Sequence, residues 1–304
     1  MRHLDTLFRL SHEETAEILT LAADLKRRFQ QGERPPLLAG HVLALLFEKP
    51  SLRTRISFEV AMTHLGGSSL FLSAAEAGLN GRESLPDVAR VLSCYCDCIV
   101  IRTFSQALID EAVRYAKCPL INGLSDISHP CQALGDLMTI QETFGELRGK
   151  TIAFVGDANN VARSLAVGAA LMDMNFVMSA PAGYEFKPEF LQLLKKIPTG
   201  KVSQVSDPAQ AVQQADVIYT DVWASMGQEA EYDQRKAIFA AYQVNAALMS
   251  HAPATARFMH CLPARRGVEV TDDVLDGKQS IAFEQAENRL HVAKGALVWL
   301  MGKN

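Results

Sequence analysis

Residues 41–67 read "HVLALLFEKPSLRTRISFEVAMTHLGG" and contain one complete strand–turn–helix unit. The apolar run at its start has the length of a buried strand, and the proline that follows it marks a turn. Ser51 is predicted to cap a helix in which Leu52, Ile56 and Val60 form one apolar face, and the glycine pair ends that helix. A strand that leads into a helix in this way is the repeating unit of parallel α/β proteins.

Apolar runs and amphipathic helical segments alternate along the rest of the chain. The runs are HVLALLF (41–47), CIVIRTF (98–104), PLING (119–123), TIAFVGD (151–157), FVMSAP (176–181), DVIYTD (216–221) and ARFMHC (256–261). This alternation predicts an α/β protein built on doubly wound parallel sheets.

The length of the chain, 304 residues, exceeds one compact core and predicts two domains. A long helical pattern that begins at "HPCQAL" breaks at Gly145, before the first strand of the second half. We therefore expect one domain over residues 1–145 and another over 146–285. The final helical segment, 286–304, fits either domain by its periodicity.

Composition and charge exclude several classes of protein. The net charge is −4, and no block rich in Lys or Arg is present, so nucleic acid is not an expected partner. No apolar stretch reaches membrane-spanning length, and the first residues lack the apolar core of a signal peptide, so a cytoplasmic protein is expected. The six cysteines should then be reduced, and the spacing in "CYCDC" matches no zinc pattern, so no metal is expected.

Polar residues follow several of the predicted strands at the edge where α/β sheets bind ligands. They are Arg102, Asn122, Asp157, Asp221 and Cys261. We expect these side chains to converge on one crevice.

The turn after the first strand carries an unusual amount of positive charge. With Ser51 as the N-cap, Arg53 and Thr54 lie in the first helical turn, where free backbone N–H groups and the helix dipole favour an anion. An arginine at a helix start opposes the dipole unless an anion binds there. The alternative is a surface helix start in which arginine pairs with Glu48 or Glu59.

Two further segments add donors of the same kind. Arg102 ends a strand, and His129 and Gln132 lie at the start of the "HPCQAL" helix. Protonation of a histidine is disfavoured at a helix N-terminus, so His129 is suited to donate a hydrogen bond as a neutral ring. Together these groups suit a small dianion next to a polarisable carbonyl.

Seven motifs extend across nearly the whole chain: "FEKPSLRTRISFE", "DVARVL", "HPCQAL", "FVGDANNVARSL", "DVWASMG", "HCLPARRGVEVTDDVLDG" and "FEQAENR". In these motifs and in their order the chain resembles the ornithine carbamoyltransferase family. The first-half motifs are shared with aspartate carbamoyltransferases and imply only that carbamoyl phosphate binds. "DVWASMG" and "HCLP" resemble the acceptor site of the ornithine enzymes.

The resemblance implies transfer of the carbamoyl group to the side-chain amine of L-ornithine, giving L-citrulline and phosphate in arginine metabolism. It implies no cofactor and no metal, a homotrimer with shared active sites, and a last helix that returns to the first domain. The implied carbamoyl phosphate ligands are Ser51, the backbone of Leu52, Arg53, Thr54, Arg102, His129, Gln132, Cys261, Leu262 and Arg289. The implied ornithine ligands are Asn160, Asp221, Ser225 and the backbone of Met226, and Thr54, Arg102, His129 and Cys261 are the implied catalytic residues.

Other readings remain at this point. A related carbamoyltransferase with another acceptor, N-acylornithine or putrescine, shares most of these motifs, and a non-catalytic relative would bind the ligand only. Thiol catalysis by Cys261 is disfavoured because the adjacent His260 on a strand points to the opposite face. A dinucleotide site at "FVGDANNVARSL" has one glycine where the fingerprint needs three.

The chain departs from the family pattern at two places. Leu52 stands where threonine is common, which removes one hydroxyl but keeps the backbone N–H. Gly78 stands where the family has Gln or His, a residue that it contributes to the phosphate site of the neighbouring subunit, and Arg82 is a candidate substitute.

Overall fold

The computed structural model describes residues 1–79, 82–224 and 229–302. The chain divides into two compact units. One comprises Met1–Met138 and the chain from Asn288 onward, and the other comprises Thr139–Glu287. The division falls inside one helix, Pro130–Phe144, which ends just before Gly145.

The first unit is built on a parallel sheet. Its strands are β1 (Val42–Phe47), β2 (Ser68–Ser73), β3 (Cys98–Arg102) and β4 (Leu120–Leu124), in the order β2-β1-β3-β4. Its helices are α1 (His12–Gln30), α2 (Leu52–His64), α3 (Leu85–Tyr95), α4 (Gln106–Tyr115) and α5 (Pro130–Phe144), with a short 3-10 helix at Leu7–Arg9. The chain leaves β1 towards one side of the sheet and β3 towards the other, so the carboxyl ends of β1 and β3 form a topological switch point.

The second unit repeats this architecture. Its strands are β5 (Thr151–Val155), β6 (Asn175–Ser179), β7 (Lys201–Val205), β8 (Val217–Thr220) and β9 (Arg257–His260), in the order β7-β6-β5-β8-β9 and all parallel. Its helices are α6 (Asn160–Leu171), α7 (Pro188–Leu194), α8 (Pro208–Val212), α9 (Tyr232–Phe239), α10 (Ala246–Met249) and α11 (Asp272–Leu275), with 3-10 turns at Glu229–Glu231 and Ala240–Tyr242. Its switch point lies between β5 and β8.

The last helix, α12 (Ala282–Met301), packs against the first unit through its larger, C-terminal part. Trp299 Nε1 donates to Glu17 Oε2 at 2.9 Å. Gly295 allows a close approach to α1, since a Cβ atom there would lie 2.8 Å from the carbonyl oxygen of Ile18. The predicted fold class, two parallel α/β domains with a returning C-terminal helix, is therefore confirmed.

The structure corrects two details of the sequence analysis. The strands β2 and β7 were not predicted, because they are sheet-edge strands whose alternate residues face solvent and whose apolar runs are short. The apolar face predicted for α2 also does not face the core of its own chain. Leu52 and Ile56 are 73% and 46% exposed, whereas Phe58 and Met62 are buried.

None of the helices in the described ranges is both long and apolar enough to cross a bilayer.

A buried carboxylate near the N-terminus gives a stability prediction. Asp5 is fully buried, with Arg9 Nη1 3.1 Å from its Oδ2. Burial raises the pKa of Asp5 despite the opposing effect of Arg9. The folded state therefore binds this proton more tightly than the unfolded state, so the carboxylate reduces the free energy of unfolding increasingly as pH rises above the unfolded pKa.

We expect Asp5→Asn to raise Tm by a few degrees at pH 8, with a gain that shrinks as pH falls towards the ordinary pKa of an Asp side chain. Loss of the ion pair should cost little, because the Arg9 side chain is 53% exposed. The control is Asp24→Asn, since a hydrogen bond from Arg27 lowers the pKa of Asp24 and neutralisation should bring no gain. An unchanged or lower Tm for Asp5→Asn at pH 8 would contradict the prediction.

Candidate active site

The start of α2 is a capped helix N-terminus next to the switch point of the first sheet. Ser51 has extended backbone (φ −153°, ψ 110°), and its side chain accepts a hydrogen bond from the Thr54 N–H at 3.4 Å, as an N-cap does. The first turn of α2 contains no acidic side chain. The backbone N–H donors and the positive end of the helix dipole therefore lie next to the cationic side chains of this segment.

Glu48 and Glu59 are the two acids that the surface-pairing alternative offers as partners for an arginine at the helix start. Glu59 Oε1 accepts from Arg55 Nε at 2.9 Å, so surface pairing holds for Arg55. Glu48 Oε2 instead accepts from the Thr103 hydroxyl at 2.5 Å and from the Phe104 N–H at 2.9 Å. Glu48 thus fixes the turn after β3, which begins next to Arg102.

Thr54 is the centre of a buried cluster. Its Oγ1 lies 3.5 Å from Arg102 Nη1 and 3.3 Å from Arg289 Nη2. Arg289, on α12, also donates from Nη1 to Gln132 Oε1 on α5. All four residues are at least nine-tenths buried. Three helices and the end of β3 thus bring together residues that lie up to 235 positions apart in the chain.

This cluster is strongly cationic for a buried site. Burial, together with the charges of Arg289 and Arg53, lowers the pKa of Arg102 to about 10. Burial, with Arg289, Arg102 and Arg53, also holds the pKa of His129 well below its usual value. At neutral pH His129 is therefore a neutral ring, and the arginines repel one another, a repulsion that an anionic ligand would relieve.

The candidate acceptor residues lie at the switch point of the second sheet. Asp221 directly follows β8 and is 8% exposed. Its Oδ2 accepts from Asn159 Nδ2 at 2.8 Å, and its Oδ1 accepts from the Val222 N–H at 2.8 Å and from the Cys261 thiol at 3.0 Å. The carboxylate is thereby held rigidly, with acceptor capacity left for a ligand cation.

Asn159 was not identified from the sequence. It caps α6, since its Oδ1 accepts from the N–H groups of Val161 and Ala162, each at 3.0 Å. Asn160, the predicted ornithine ligand, is the first residue of α6 and is half-buried. Asn159 therefore caps α6 and supports Asp221, whereas Asn160, the predicted ornithine ligand, begins the helix.

The loop after β9 positions Cys261 and Leu262. His260 is fully buried, its Nδ1 accepts from the Leu262 N–H at 2.9 Å, and its Nε2 lies 3.2 Å from Glu269 Oε1. Both ring nitrogens are thus engaged away from the thiol, which argues against a His260–Cys261 nucleophile pair. Asp221, His260 and Cys261 place one ligand atom each within 4.8 Å of one another, but the engaged ring makes a poor metal ligand.

Arg235 connects two loops of this unit and was also missed by sequence reasoning. Its Nη1 donates to Asp157 Oδ2 at 2.8 Å and to the Trp223 carbonyl at 3.1 Å, and its Nε donates to Glu231 Oε2 at 2.8 Å. Burial raises the pKa of Asp157 even with Arg235 bound. Asp157, predicted to line the crevice, thus has a structural partner.

Asn122, another predicted crevice residue, has a structural role as well. Its Nδ2 donates to the Asp5 carbonyl at 3.0 Å and to Gln106 Oε1 at 3.1 Å. Asn122 therefore ties the N-terminal segment to β4.

Three sequence-predicted features concern the loops. Ser225 and Met226 lie outside the described residues. Gly78 has a positive φ of 75°, and a Cβ atom on it would lie 3.0 Å from Arg82 Nε. The missing side chain at Gly78 therefore leaves room for the guanidinium group of Arg82, which is exposed.

Comparisons with known proteins agree with this arrangement. Residues 2–142 match the carbamoyl-P binding domain, and residues 148–300 the Asp/Orn binding domain, of the aspartate/ornithine carbamoyltransferases. The chain is 48% identical to the ornithine carbamoyltransferase of Anoxybacillus flavithermus, over 97% of this chain and 95% of that protein. It is likewise 48% identical to the Bacillus subtilis enzyme, over 99% and 94% of the two chains.

Solved structures give the same result. The ornithine carbamoyltransferase from Pyrococcus furiosus superposes with a TM-score of 0.95 at 47% identity, covering 99% of this chain and 97% of that one. The Thermus thermophilus structure of the same title gives 0.89 at 41% identity, covering 98% of both chains. Two parallel α/β units, one with a buried cationic cluster at its switch point, are the arrangement expected of a carbamoyltransferase, and the two domain matches assign the chain to that class. The chain belongs to the aspartate/ornithine carbamoyltransferase family.

Proposed function

We propose that the chain is an ornithine carbamoyltransferase, which transfers the carbamoyl group of carbamoyl phosphate to the side-chain amine of L-ornithine and releases L-citrulline and phosphate. The observation that carries this proposal is the buried cationic cluster of Thr54, Arg102 and Arg289 at the capped start of α2. The supporting comparison is the near-full-length identity of 48% to enzymes named for this reaction. One such relative, from Pyrococcus furiosus, is named anabolic, which supports a role in arginine biosynthesis.

The donor end of the site follows from charge. The phosphate dianion takes the backbone N–H groups of the first turn of α2, together with the side chains of Ser51, Arg53 and Thr54. The carbamoyl carbonyl takes hydrogen bonds from Arg102 and His129, which is neutral at the working pH. Gln132 and Arg289 of the same unit complete the surroundings of the carbamoyl group, and the family pattern adds Cys261 and Leu262.

The reaction is a direct attack of the ornithine side-chain nitrogen on the carbamoyl carbon. A tetrahedral oxyanion forms, the donors of Thr54, Arg102 and His129 stabilise it, and the C–O bond to phosphate breaks. The amine must be neutral to attack, and an alkyl ammonium has a pKa of about 10.4, so activity should rise from neutral to mildly alkaline pH. The departing phosphate is a suitable acceptor for the amine proton.

The acceptor end is assigned to the second unit. Asp221 pairs with the α-ammonium group of ornithine, and Asn160 hydrogen-bonds its α-carboxylate. Ser225 and the backbone of Met226 complete the set by the family pattern. The rigid support of Asp221 by Asn159 and Cys261 favours this assignment over a simple turn cap.

The test compares acceptors under identical conditions in the presence of a chelator. Phosphate release from carbamoyl phosphate is measured with ornithine, N-acetylornithine, putrescine and aspartate. Ornithine is expected to give the highest kcat/KM by a wide margin, because acetylation removes the partner of Asp221 and putrescine has no α-carboxylate. A higher kcat/KM with either of those two would assign a different acceptor, and the absence of release with all four would reject carbamoyl transfer.

Leu52 gives a specific prediction about the donor site. Its side chain is 73% exposed at the first helical position, so Leu52→Thr should not disturb the fold and restores the hydroxyl that is common in the family. One hydrogen bond to a charged group is worth about 1.5–3 kcal/mol, so KM for carbamoyl phosphate should fall by about 10-fold. Initial rates at saturating ornithine measure this KM, and an unchanged or higher KM would contradict the prediction.

Assembly is a second part of the proposal, a homotrimer in the cytoplasm with active sites shared between subunits. Leu52 and Ile56 on α2 and Leu70 on the edge strand β2 are 73%, 46% and 53% exposed, which supports a subunit contact next to the phosphate site. None of the six cysteines, all of which lie in the described ranges, forms a disulfide, which fits a reducing compartment. Light scattering with size-exclusion chromatography tests the trimer, and a monomer at assay concentration would reject it.

A further inference from the structure

Asp136 lies one helical turn after Gln132 on α5 and is fully buried. Gln132 Nε2 donates a hydrogen bond to Asp136 Oδ1 at 2.8 Å, while Gln132 Oε1 accepts from Arg289 Nη1. Gly135 provides space for this arrangement, since a Cβ atom on it would lie 3.3 Å from Arg289 Cδ. Asp136 itself is not among the carbamoyl phosphate ligands implied by the family pattern.

These two neighbours fix the direction of the Gln132 amide. A guanidinium group only donates hydrogen bonds, so the amide oxygen of Gln132 is the atom that can face Arg289. The amide nitrogen must therefore face Asp136, and the amide oxygen must face Arg289 and the cationic cluster. A carbonyl oxygen has two lone pairs, so Oε1 can accept from Arg289 and from a ligand at once.

The carbamoyl group needs a hydrogen-bond acceptor of this kind. It carries a carbonyl, which accepts hydrogen bonds, and an amino group, which donates them. The guanidinium groups of Arg53, Arg102 and Arg289 suit the phosphate and the carbonyl, but they repel an N–H donor. Gln132 Oε1 is an acceptor that the same cluster offers to the amino group.

We infer that Asp136 is a positioning residue for donor specificity. By holding the amide nitrogen of Gln132, it makes Gln132 present its oxygen to the amino group of carbamoyl phosphate, and the site thereby discriminates against acetyl phosphate, which has a methyl group at that place. The inference rests on the proposed function. It adds a determinant that distinguishes two acyl phosphates of nearly equal size and charge.

The expected discrimination follows from hydrogen bonding. A buried amide oxygen that faces a methyl group loses its partner, which costs about 1–3 kcal/mol, or about 5- to 150-fold in affinity. Both compounds share the phosphate, so contacts to Ser51, Arg53 and Thr54 contribute equally to both. The ratio between the KM of carbamoyl phosphate and the competitive inhibition constant of acetyl phosphate therefore isolates the amide.

The first test is Asp136→Asn, which keeps the volume but offers both a donor and an acceptor, so only Arg289 still constrains the direction of the Gln132 amide. KM for carbamoyl phosphate is expected to rise by about 10-fold, and the inhibition constant of acetyl phosphate to stay within about 2-fold of wild type. A general structural disturbance would weaken both ligands together. Equal changes for the two compounds, or no change for either, would overturn the inference.

The second test is a double-mutant cycle with Gln132→Leu. Gln132→Leu alone should weaken carbamoyl phosphate and leave acetyl phosphate within about 2-fold, and adding Asp136→Asn should then cause no further loss of discrimination. Additive losses would show that Asp136 does not act through Gln132. If Asp136→Asn does not fold, equal weakening of both acyl phosphates by Gln132→Leu would still overturn the inference.

The matched control is Asp97→Asn in the same unit. Asp97 also accepts a hydrogen bond, from the Val42 N–H at 2.8 Å, but it lies at the amino end of the sheet, opposite the site. Both ligands should bind this variant as they bind wild type. Wild-type enzyme that forms no citrulline from ornithine would reject the proposed function. Wild-type activity with unchanged discrimination in the Asp136 and Gln132 variants would reject this inference alone.

Discussion

Replacing Arg102 by alanine is expected to lower kcat by about 10²- to 10³-fold, the usual cost of losing one oxyanion donor. Arg102 ends β3 at the switch point of the first sheet, is 9% exposed, and shares Thr54 Oγ1 with Arg289. Its pKa of about 10, lowered by burial and by neighbouring arginines, leaves it cationic at pH 7 to 8. The guanidinium therefore remains charged when the oxyanion forms.

A second readout separates catalysis from folding. Phosphate should raise the Tm of the wild-type protein, since it relieves the repulsion among Arg53, Arg102 and Arg289, and the increase should be smaller in Arg102→Ala. The control is Arg148→Ala in the second unit, whose side chain is 80% exposed and pairs with Asp173. Near-normal turnover of Arg102→Ala at saturating substrates would remove Arg102 from the catalytic residues.

The second large effect concerns Asp221. Asp221→Asn keeps the volume and removes the charge that pairs with the α-ammonium of ornithine, so KM for ornithine should rise by about 10²-fold, the worth of a charge-assisted hydrogen bond. Carbamoyl phosphate binding should remain within about 2-fold, because its phosphate ligands belong to the other unit. Initial-rate kinetics with both substrates varied give the two constants separately.

An acceptor comparison sharpens this test. N-acetylornithine lacks the α-ammonium, so the wild-type preference for ornithine over N-acetylornithine should shrink in Asp221→Asn. The control is Asp216→Asn at the opposite end of β8, where the carboxylate accepts from the Thr151 N–H at 2.8 Å. An Asp221→Asn variant that retains the wild-type preference would remove Asp221 from the ornithine site.

Much of the fold could be predicted from the sequence because the local sequence signals agree with the burial of the strands. The apolar runs of β1, β3, β5 and β8 are buried on both faces and bounded by turn residues. Edge strands lack this signal, which explains why β2 and β7 were missed. The exposed face of α2 was misread because periodicity identifies an apolar stripe but not whether its own chain covers it.

The candidate site was readable only where a motif is local. Ser51, Thr54, His129 and Gln132 stand in short segments with a recognisable helix start. Arg235 carries no such signal, since its role depends on partners supplied by the fold, as when it meets Asp157 78 positions away. Asn159 stands at an N-cap and Asp136 four residues after Gln132 on one helix, but neither position by itself indicates a role in the site. Side chains that position other side chains are therefore the residues of a site that are hardest to predict from one sequence.

The most direct measurement follows the bond that the proposed reaction makes. Carbamoyl phosphate labelled with ¹³C is incubated with ornithine labelled with ¹⁵N at the side-chain nitrogen, and the product is observed by ¹³C NMR. Direct transfer predicts a ureido carbon split by one-bond coupling to ¹⁵N, formed in step with phosphate. Phosphate release without a ¹³C–¹⁵N coupled product, or coupling only to the α-nitrogen when that position is labelled instead, would contradict the account.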